Sequence, residues 1–437
     1  MSYSIGLSGL RSTNEQLNVI SQNIANVNTS GFKSGRAEFS SVYSGGSAGG
    51  VEVAAISSNF DRDGDVVNTG RSMDLAISGR GFFVLNNGGE TSYTRAGSFV
   101  RNASNYIETS SGARLQGYPV DANGALLSGV ISDLKVGTGT LPAKASSSVE
   151  FAANLKADAA APATAFDPTN IQPDMYNYSQ SGKVFDSLGR EHVLTQYFVK
   201  QVPGPAVTAV AAKPAVIADP TATPKVIGSP EVKAVAARGI TVENEWDVHY
   251  FIDGQKAGTT ATQTLNFDTS GNITSPTGSV ELSQTITGAD PLSIKISMTN
   301  MSQNAASFSL SRNETNGYGA GDLKTIRIDD DGSLYGVYTN GQDKLQGKVI
   351  LANFANPNGL RQGDNTTWGQ SFASGAPTVG LPSSGTLGSL TSGAYEGSNV
   401  DLTGELVSLM TAQRNYQANS KTISAAEKMT QVLFNAF

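Results

Sequence analysis

Hydrophobic positions repeat every seven residues at both ends of this chain, while the middle alternates apolar positions with turn residues. Near the N-terminus Tyr3, Leu10, Leu17 and Ile24 keep that spacing, with Leu7, Ile20 and Val27 beside them. Near the C-terminus Leu402, Leu409, Tyr416, Ile423 and Phe437 repeat it, interrupted at Thr430, and Leu406, Met410, Met429 and Leu433 widen the stripe. Such spacing gathers apolar side chains on one helical face, so both ends are predicted to be amphipathic helices with coiled-coil-like seams. The predicted spans are 1–28 and 398–437. Asn399 or Asp401 can cap the second helix, and Glu405 adds charge at its positive end. The first helix should stop between Asn28 and Gly31, where Asn and Gly tolerate a left-handed cap.

The stretch SSVYSGGSAGGV (40–51) is rich in Gly and Ser, and 29–70 reads as an extended connecting segment, matched by 393–397 on the return. Short strands begin next. NNGG at 86–89 is a hairpin turn signal, and Asp331-Gly332 and Asn340-Gly341 separate β-prone runs in a predicted meander. Further strands are predicted at VLTQYFV, EWDVHYFID, QTLNFD and LSIKIS. The Pro/Ala-rich stretch 202–237 reads as an extended surface loop or an elaborated hairpin.

The first helix has an unusual polar face. In NVISQNIANVNTSGFKS (18–34) it is Asn, Gln and Ser, with no charge before Lys33. A free surface helix normally carries charge for solubility, so this pattern points to burial against other subunits. The seam positions Tyr3, Leu7, Leu10, Leu17, Ile20, Ile24, Val27, Leu402, Leu406, Leu409, Tyr416, Ile423, Leu433 and Phe437 are therefore the candidate self-association residues.

Composition narrows the chemistry. A net charge of −7 argues against nucleic acid or an anionic membrane as the main partner. There is no Cys, which removes disulfides and thiolate sites. No apolar run of membrane-spanning length is present, and MSYSIGLSGLRSTNE does not read as a cleaved signal peptide. Asp61, Asp63 and Asp65 open like a calcium loop, but Val66 and Ser72 stand where an EF-hand needs Gly and Glu. The run Asp329–Gly332 fails the same test. His192 and His249 have no third ligand at a zinc spacing. GYGAGD (317–322) lacks the dinucleotide pattern, and no G-x-S-x-G elbow occurs. Paired carboxylates of the glycosidase kind are nonspecific in a β-rich chain. The expectation is a protein without catalytic residues, metal or cofactor.

Three stretches carry a family resemblance: SGLRSTNEQLNVISQNIANVNTSGFKSGRAEF near the start, DLAISGRGFFVL at 74–85, and SNVDLTGELVSLMTAQRNYQANSKTISAAEKM at 398–429. With YTRAGSF, LQGY, GYGAGDL, ILANFANPNGL and QGDN, they resemble the bacterial flagellar rod and hook family, over roughly 1–145 and 315–437. The long β-rich middle sets the chain with the hook branch and apart from the shorter rod subunits. The resemblance implies a structural, self-assembling subunit of a hollow helical tube, not an enzyme. It implies terminal helices that pair and line a central channel, with Asn23 and Asn26 as candidate channel-facing residues. It also implies export through the flagellar type III apparatus, location outside the cell in the basal body and hook, and contact with rod, hook cap and hook–filament junction proteins. Neither nucleic acid nor membrane insertion is expected.

The fold class expected is mainly β with terminal α-helices. In this nested architecture the paired helices are followed by an inner β domain (71–144 and 319–392). An outer β domain (145–318) is inserted into it. The alternatives are a distal-rod-like axial protein, or a secreted β-rich adhesin or sugar-active protein.

Overall fold

The computed structural model describes residues 2–44, 47–121, 124–201, 244–258 and 262–435. The Pro/Ala-rich stretch 202–237 lies outside them, as do Phe437 and the side chains of Tyr3 and Leu433. The chain divides into two compact units: Met1–Gly139 with Asp322–Phe437, and Thr140–Gly321.

The first unit contains two long helices, α1 (Ser2–Ala25) and α2 (Leu402–Asn435). Of the two candidate caps for α2, Asp401 takes the role: its Oδ1 accepts the Thr403 N–H at 3.1 Å and its carbonyl accepts the Glu405 N–H. Gly31 follows α1 at φ +67°, where an added Cβ would lie 2.3 Å from the Ala96 nitrogen, so only glycine fits.

The connecting segment 29–70 corrects the sequence reading. It is not merely extended: β1 (Gly35–Ser44) and β2 (Ser47–Ser58) form a long antiparallel hairpin. Gly and Ser favour loops on average, but Phe39, Val42, Tyr43, Val51, Val53 and Ile56 provide enough β-prone side chains for pairing. Val66–Asn68 pairs in turn with Ala394–Glu396, so the return segment is a strand too.

Beyond the helices, the unit is built on a 13-stranded sheet. Its strand Phe82–Asn87 is buried on both faces. Phe83 and Leu85 enter a core with Leu75, Phe99, Leu115 and Leu351, while Phe82 and Val84 enter another with Tyr93, Phe354 and Trp368. Alternation of side chains along a strand produces this two-sided burial. Leu323–Ile328, Ser333–Tyr338 and Asp343–Val349 form an antiparallel meander that turns at Gly332 and Gly341, both with positive φ.

The second unit has two sheets around one core. In the first, Ser148–Lys156 pairs with Leu292–Ser297 and Ser302–Asn304 in parallel and with Ser309–Thr315 antiparallel. The second is an antiparallel meander including Tyr178–Phe185, Glu191–Lys200, Glu245–Ile252 and Thr262–Phe267. Phe151, Phe198, Trp246, Tyr250 and Ile294 fill the space between them. The unit extends a few residues beyond the expected 145–318, because Leu141 and Lys144 bridge to Gly321 and Tyr318.

Candidate assembly surface

Helix α1 lies between the β1–β2 hairpin and α2. Its neutral polar side chains bind the hairpin backbone. Asn23 donates from Nδ2 to the Gly35 carbonyl and accepts the Gly35 N–H at Oδ1, both at 2.8 Å. Ser8 accepts the Val51 N–H at 3.2 Å, and Ser12 donates to the Val51 carbonyl at 3.4 Å. An amide or hydroxyl can both donate and accept, whereas a carboxylate would repel those carbonyls. This accounts for Asn23 on the uncharged face, whereas Asn18, Ser21, Gln22 and Asn28 stay exposed.

On its other side α1 meets α2 antiparallel. Asn23 Nδ2 also donates to Glu405 Oε1 at 2.9 Å. Thr13 approaches Asn419, and Ala412 is fully buried. A Cβ on Gly9 would come 2.9 Å from the Asn419 side chain, and one on Gly6 would come 3.0 Å from Ile423 Cγ1. The two glycines weaken α1 as an isolated helix, but they let the helices approach closely. Burial pushes the Glu405 carboxyl above its usual range, the Asn23 hydrogen bond pulls it down, and the Asp401 charge adds to the rise.

The predicted seam divides within the subunit. Ile20 is buried, and Leu7, Leu10, Leu17, Ile24, Val27, Leu409 and Ile423 are half-buried. Leu402, Leu406 and Tyr416 instead stand exposed; Leu402 and Tyr416 keep the seven-residue register of Leu409 and Ile423, whereas Leu406, Val407 and Met410 form an exposed apolar patch on the side turned away from α1. The channel-facing expectation needs revision at Asn23, which is 2% exposed and committed to Gly35 and Glu405. Asn26 is half-exposed and bonds back to the Gln22 carbonyl. The open polar face of α1 is Arg11, Asn14, Asn18, Ser21 and Gln22, with half-exposed Glu15 beside Asn18.

Where the two termini meet the sheet lies a buried ionic cluster that seam periodicity does not reveal. Glu396 Oε1 accepts from Lys33 Nζ and its Oε2 from Arg95 Nε, each at 2.7 Å, with both carboxylate and ammonium side chains 1% exposed. Arg95 also donates to the Gly79 and Gly81 carbonyls and to Asp63. Lys33 Nζ further donates to the Arg62 carbonyl, as does Asn399, whose Oδ1 accepts the Ser34 N–H at 2.7 Å. Burial pushes the Lys33 ammonium below its ordinary pKa, opposed by the Glu396 charge. Such a cluster specifies geometry more than it adds net stability, because desolvation offsets most of the attraction. The sequence did contain a signal: Lys33 lies in FKSGRAEF, Arg95 in YTRAGSF and Asn399 in SNVDL, three motifs that converge here.

The histidines have other partners. His192 Nδ1 is 2.6 Å from Asp253 and Nε2 is 3.3 Å from Asp186. His249 stacks on Phe166 with ring centroids 4.0 Å apart. No group of three potential ligands is placed to hold a metal among the described residues. No helix among them is long and apolar enough to cross a membrane.

Four family models match the chain: "Flagella basal body rod protein" over residues 4–33, "Flagellar hook protein FlgE/F/G D1 domain" over 76–154, "Flagellar basal body protein FlaE D2 domain" over 154–318, and "Flagellar basal body rod FlgEFG protein C-terminal" over 391–436. Among curated proteins, the chain is 35% identical to the flagellar hook protein FlgE of Salmonella typhimurium, with 100% of both chains covered. It is 33% identical to that of Escherichia coli over 100% of both, and 31% identical to that of Treponema pallidum over 98% of both. Among solved structures, the Helicobacter pylori flagellar hook protein FlgE2 matches at a TM-score of 0.48 and 14% identity, covering 75% of this chain and 98% of that one.

Proposed function

The chain belongs to the flagellar hook protein family and is a structural subunit of the flagellar hook; from that premise we propose how it polymerises and which faces it uses. The subunits stack into a curved hollow tube that joins rod to filament and transmits torque around a bend. The observation that carries this reading is the two-sided apolar character of α2. One face packs on α1 in the same chain, and Leu406, Val407 and Met410 stand exposed on the other side. An exposed apolar patch of this kind on a long helix is suited to cover by a partner, and a sister subunit supplies it.

The inner end of the tube is the helix pair, with the Asn14, Asn18, Ser21 and Gln22 face of α1 turned to the channel. These neutral polar side chains, with Arg11 at the N-terminal end of the face, offer little apolar surface to grip unfolded chains as they pass. The first unit's sheet and the inserted second unit form the inner and outer β domains. The subunit leaves the cell through the type III apparatus. Rod, hook cap and hook–filament junction proteins meet the tube at its ends. Image reconstruction of polymer grown from purified protein tests the scheme. Curved tubes with α1 at the lumen are expected. Straight rods, or a lumen lined by other residues, would overturn it.

A further inference from the structure

Phe372 is exposed at 105% of its reference area. The backbone that carries it is firmly held. Ser371 Oγ accepts the N–H groups of Ala373 and Ser374 at 3.0 and 3.2 Å and donates to the Gly359 carbonyl. Ser374 is fully buried; its Oγ donates to the Ser371 carbonyl and accepts the Ser371 N–H, both at 2.9 Å. Asn356 Nδ2 donates to the Ala373 carbonyl at 3.0 Å. The short Pro357–Gly359 turn packs so closely beneath that a Cβ on Gly359 would lie 2.5 Å from the Ala373 carbonyl carbon. The polar groups of Ser371 and Ser374 satisfy one another, and the phenyl ring is the large apolar group that projects outward.

A large apolar side chain on a preorganised backbone has the properties of an interface anchor: it loses little freedom on binding and gains from leaving water. We propose that Phe372 is an inter-subunit anchor that buries its ring against a second copy of this chain. In a helical array every subunit carries the same exposed ring. Only another copy can cover it at every position; a protein bound at the end of the tube would cover only the terminal subunits. In an array built by one repeated helical step, the surface that covers the ring on the next copy differs from the surface that carries it, so the proposed contact is heterologous, and heterologous contacts propagate into filaments. The inference rests on the polymer reading given above, and it adds a contact made by the β-rich part of the unit.

The chain contains no Cys, so Phe372→Cys supplies a unique reporter for maleimide. Labelling is expected to slow roughly tenfold or more on polymerisation, as removal into a packed contact requires. If the cysteine variant does not assemble, p-benzoylphenylalanine at position 372 retains an aromatic ring and should photocrosslink one chain to another within the tube. Phe372→Ala should raise the critical concentration for assembly roughly tenfold, equivalent to about 1.4 kcal/mol. Equal labelling of monomer and tube, or crosslinks confined to one chain, would overturn the anchor and leave the polymer reading intact. A wild-type chain that forms no tubes would overturn both.

Discussion

At the residue scale, buried charge and titrating groups make separate predictions for the two units. Glu396 pairs with both Lys33 and Arg95 in the interior of the first unit, and Asp63 supplies the second carboxylate. Glu396→Ala leaves two buried cations with only the half-exposed Asp63 carboxylate between them and should cost about 3–5 kcal/mol, read as an earlier unfolding transition in urea. A variant that unfolds at the wild-type midpoint would mean water reaches the cluster. In the second unit His192 lies between Asp253 and Asp186. Partial burial lowers its pKa, but hydrogen bonds and charge from the two carboxylates outweigh it and raise the value above 6.5. For Asp186, burial raises the pKa, and bonds from Arg190, His192 and the Leu188 N–H outweigh it and carry the value down to about 2. The histidine's contribution is complete below pH 6.5 and is lost as pH rises through its raised value. The aspartate's is complete above pH 3.8 and is lost as pH falls through about 2. His192→Gln should therefore destabilise more at pH 5 than at pH 9, measured by denaturant unfolding. An equal loss at both pH values would show that His192 stays neutral.

At the scale of elements, the two faces of α2 can be separated by substitution. Leu409 is half-buried on the side facing α1, and Leu406 is 46% exposed on the other. Leu406→Asp should leave the intrachain helix pair intact and block tube formation, whereas Leu409→Asp should loosen the pair itself. An unpaired charge in a dry contact costs several kcal/mol, enough to prevent assembly in either case. Light scattering on assembly, together with helical circular dichroism of the monomer, distinguishes the two. Normal tubes from Leu406→Asp would mean that its stripe faces water. The helices themselves were legible from heptad spacing, and the meander from Asp-Gly and Asn-Gly turns. The strand runs Leu292–Ser297 and Glu245–Ile252 were legible from apolar alternation. The β1–β2 hairpin was not, because its Gly and Ser content obscures the β-prone residues between them. Asn23 was legible as part of a polar face but not as a buried ligand of Gly35, since periodicity identifies a face and not what covers it. Gly6 and Gly9 weaken an isolated helix, and the approach of Ile423 and Asn419 gives them a packing role that spacing alone does not show.

At the scale of the whole molecule, the β-rich parts and the helix pair differ in how they hold together. The core of the second unit draws only on its own strands, and the large cores of the first draw on its sheet. None of the three includes a residue of α2. That helix has 34 residues, and among its described side chains only Ala412 is fully buried. Up to Ala412 it is held by the Asp401 cap and the Asn23–Glu405 bond. Beyond Ala412 it has Thr13, Gly9 and Gly6 of α1 as neighbours, and the two glycines each cost α1 about 1 kcal/mol of helix propensity relative to Ala. An exposed helix without a packed face is marginal in water. The distal part of α2 should therefore open readily in the monomer and become protected when sister subunits cover Met410, Tyr416 and Met429. Limited proteolysis of monomer beside polymer tests this. Monomer should be trimmed from the C-terminal side towards Ala412 while both β-rich parts survive, and polymer should keep the full helix. If the monomer's α2 resists protease as well as the polymer's does, the helix pair is an autonomous structure, and assembly would draw on preformed helices instead of ordering them.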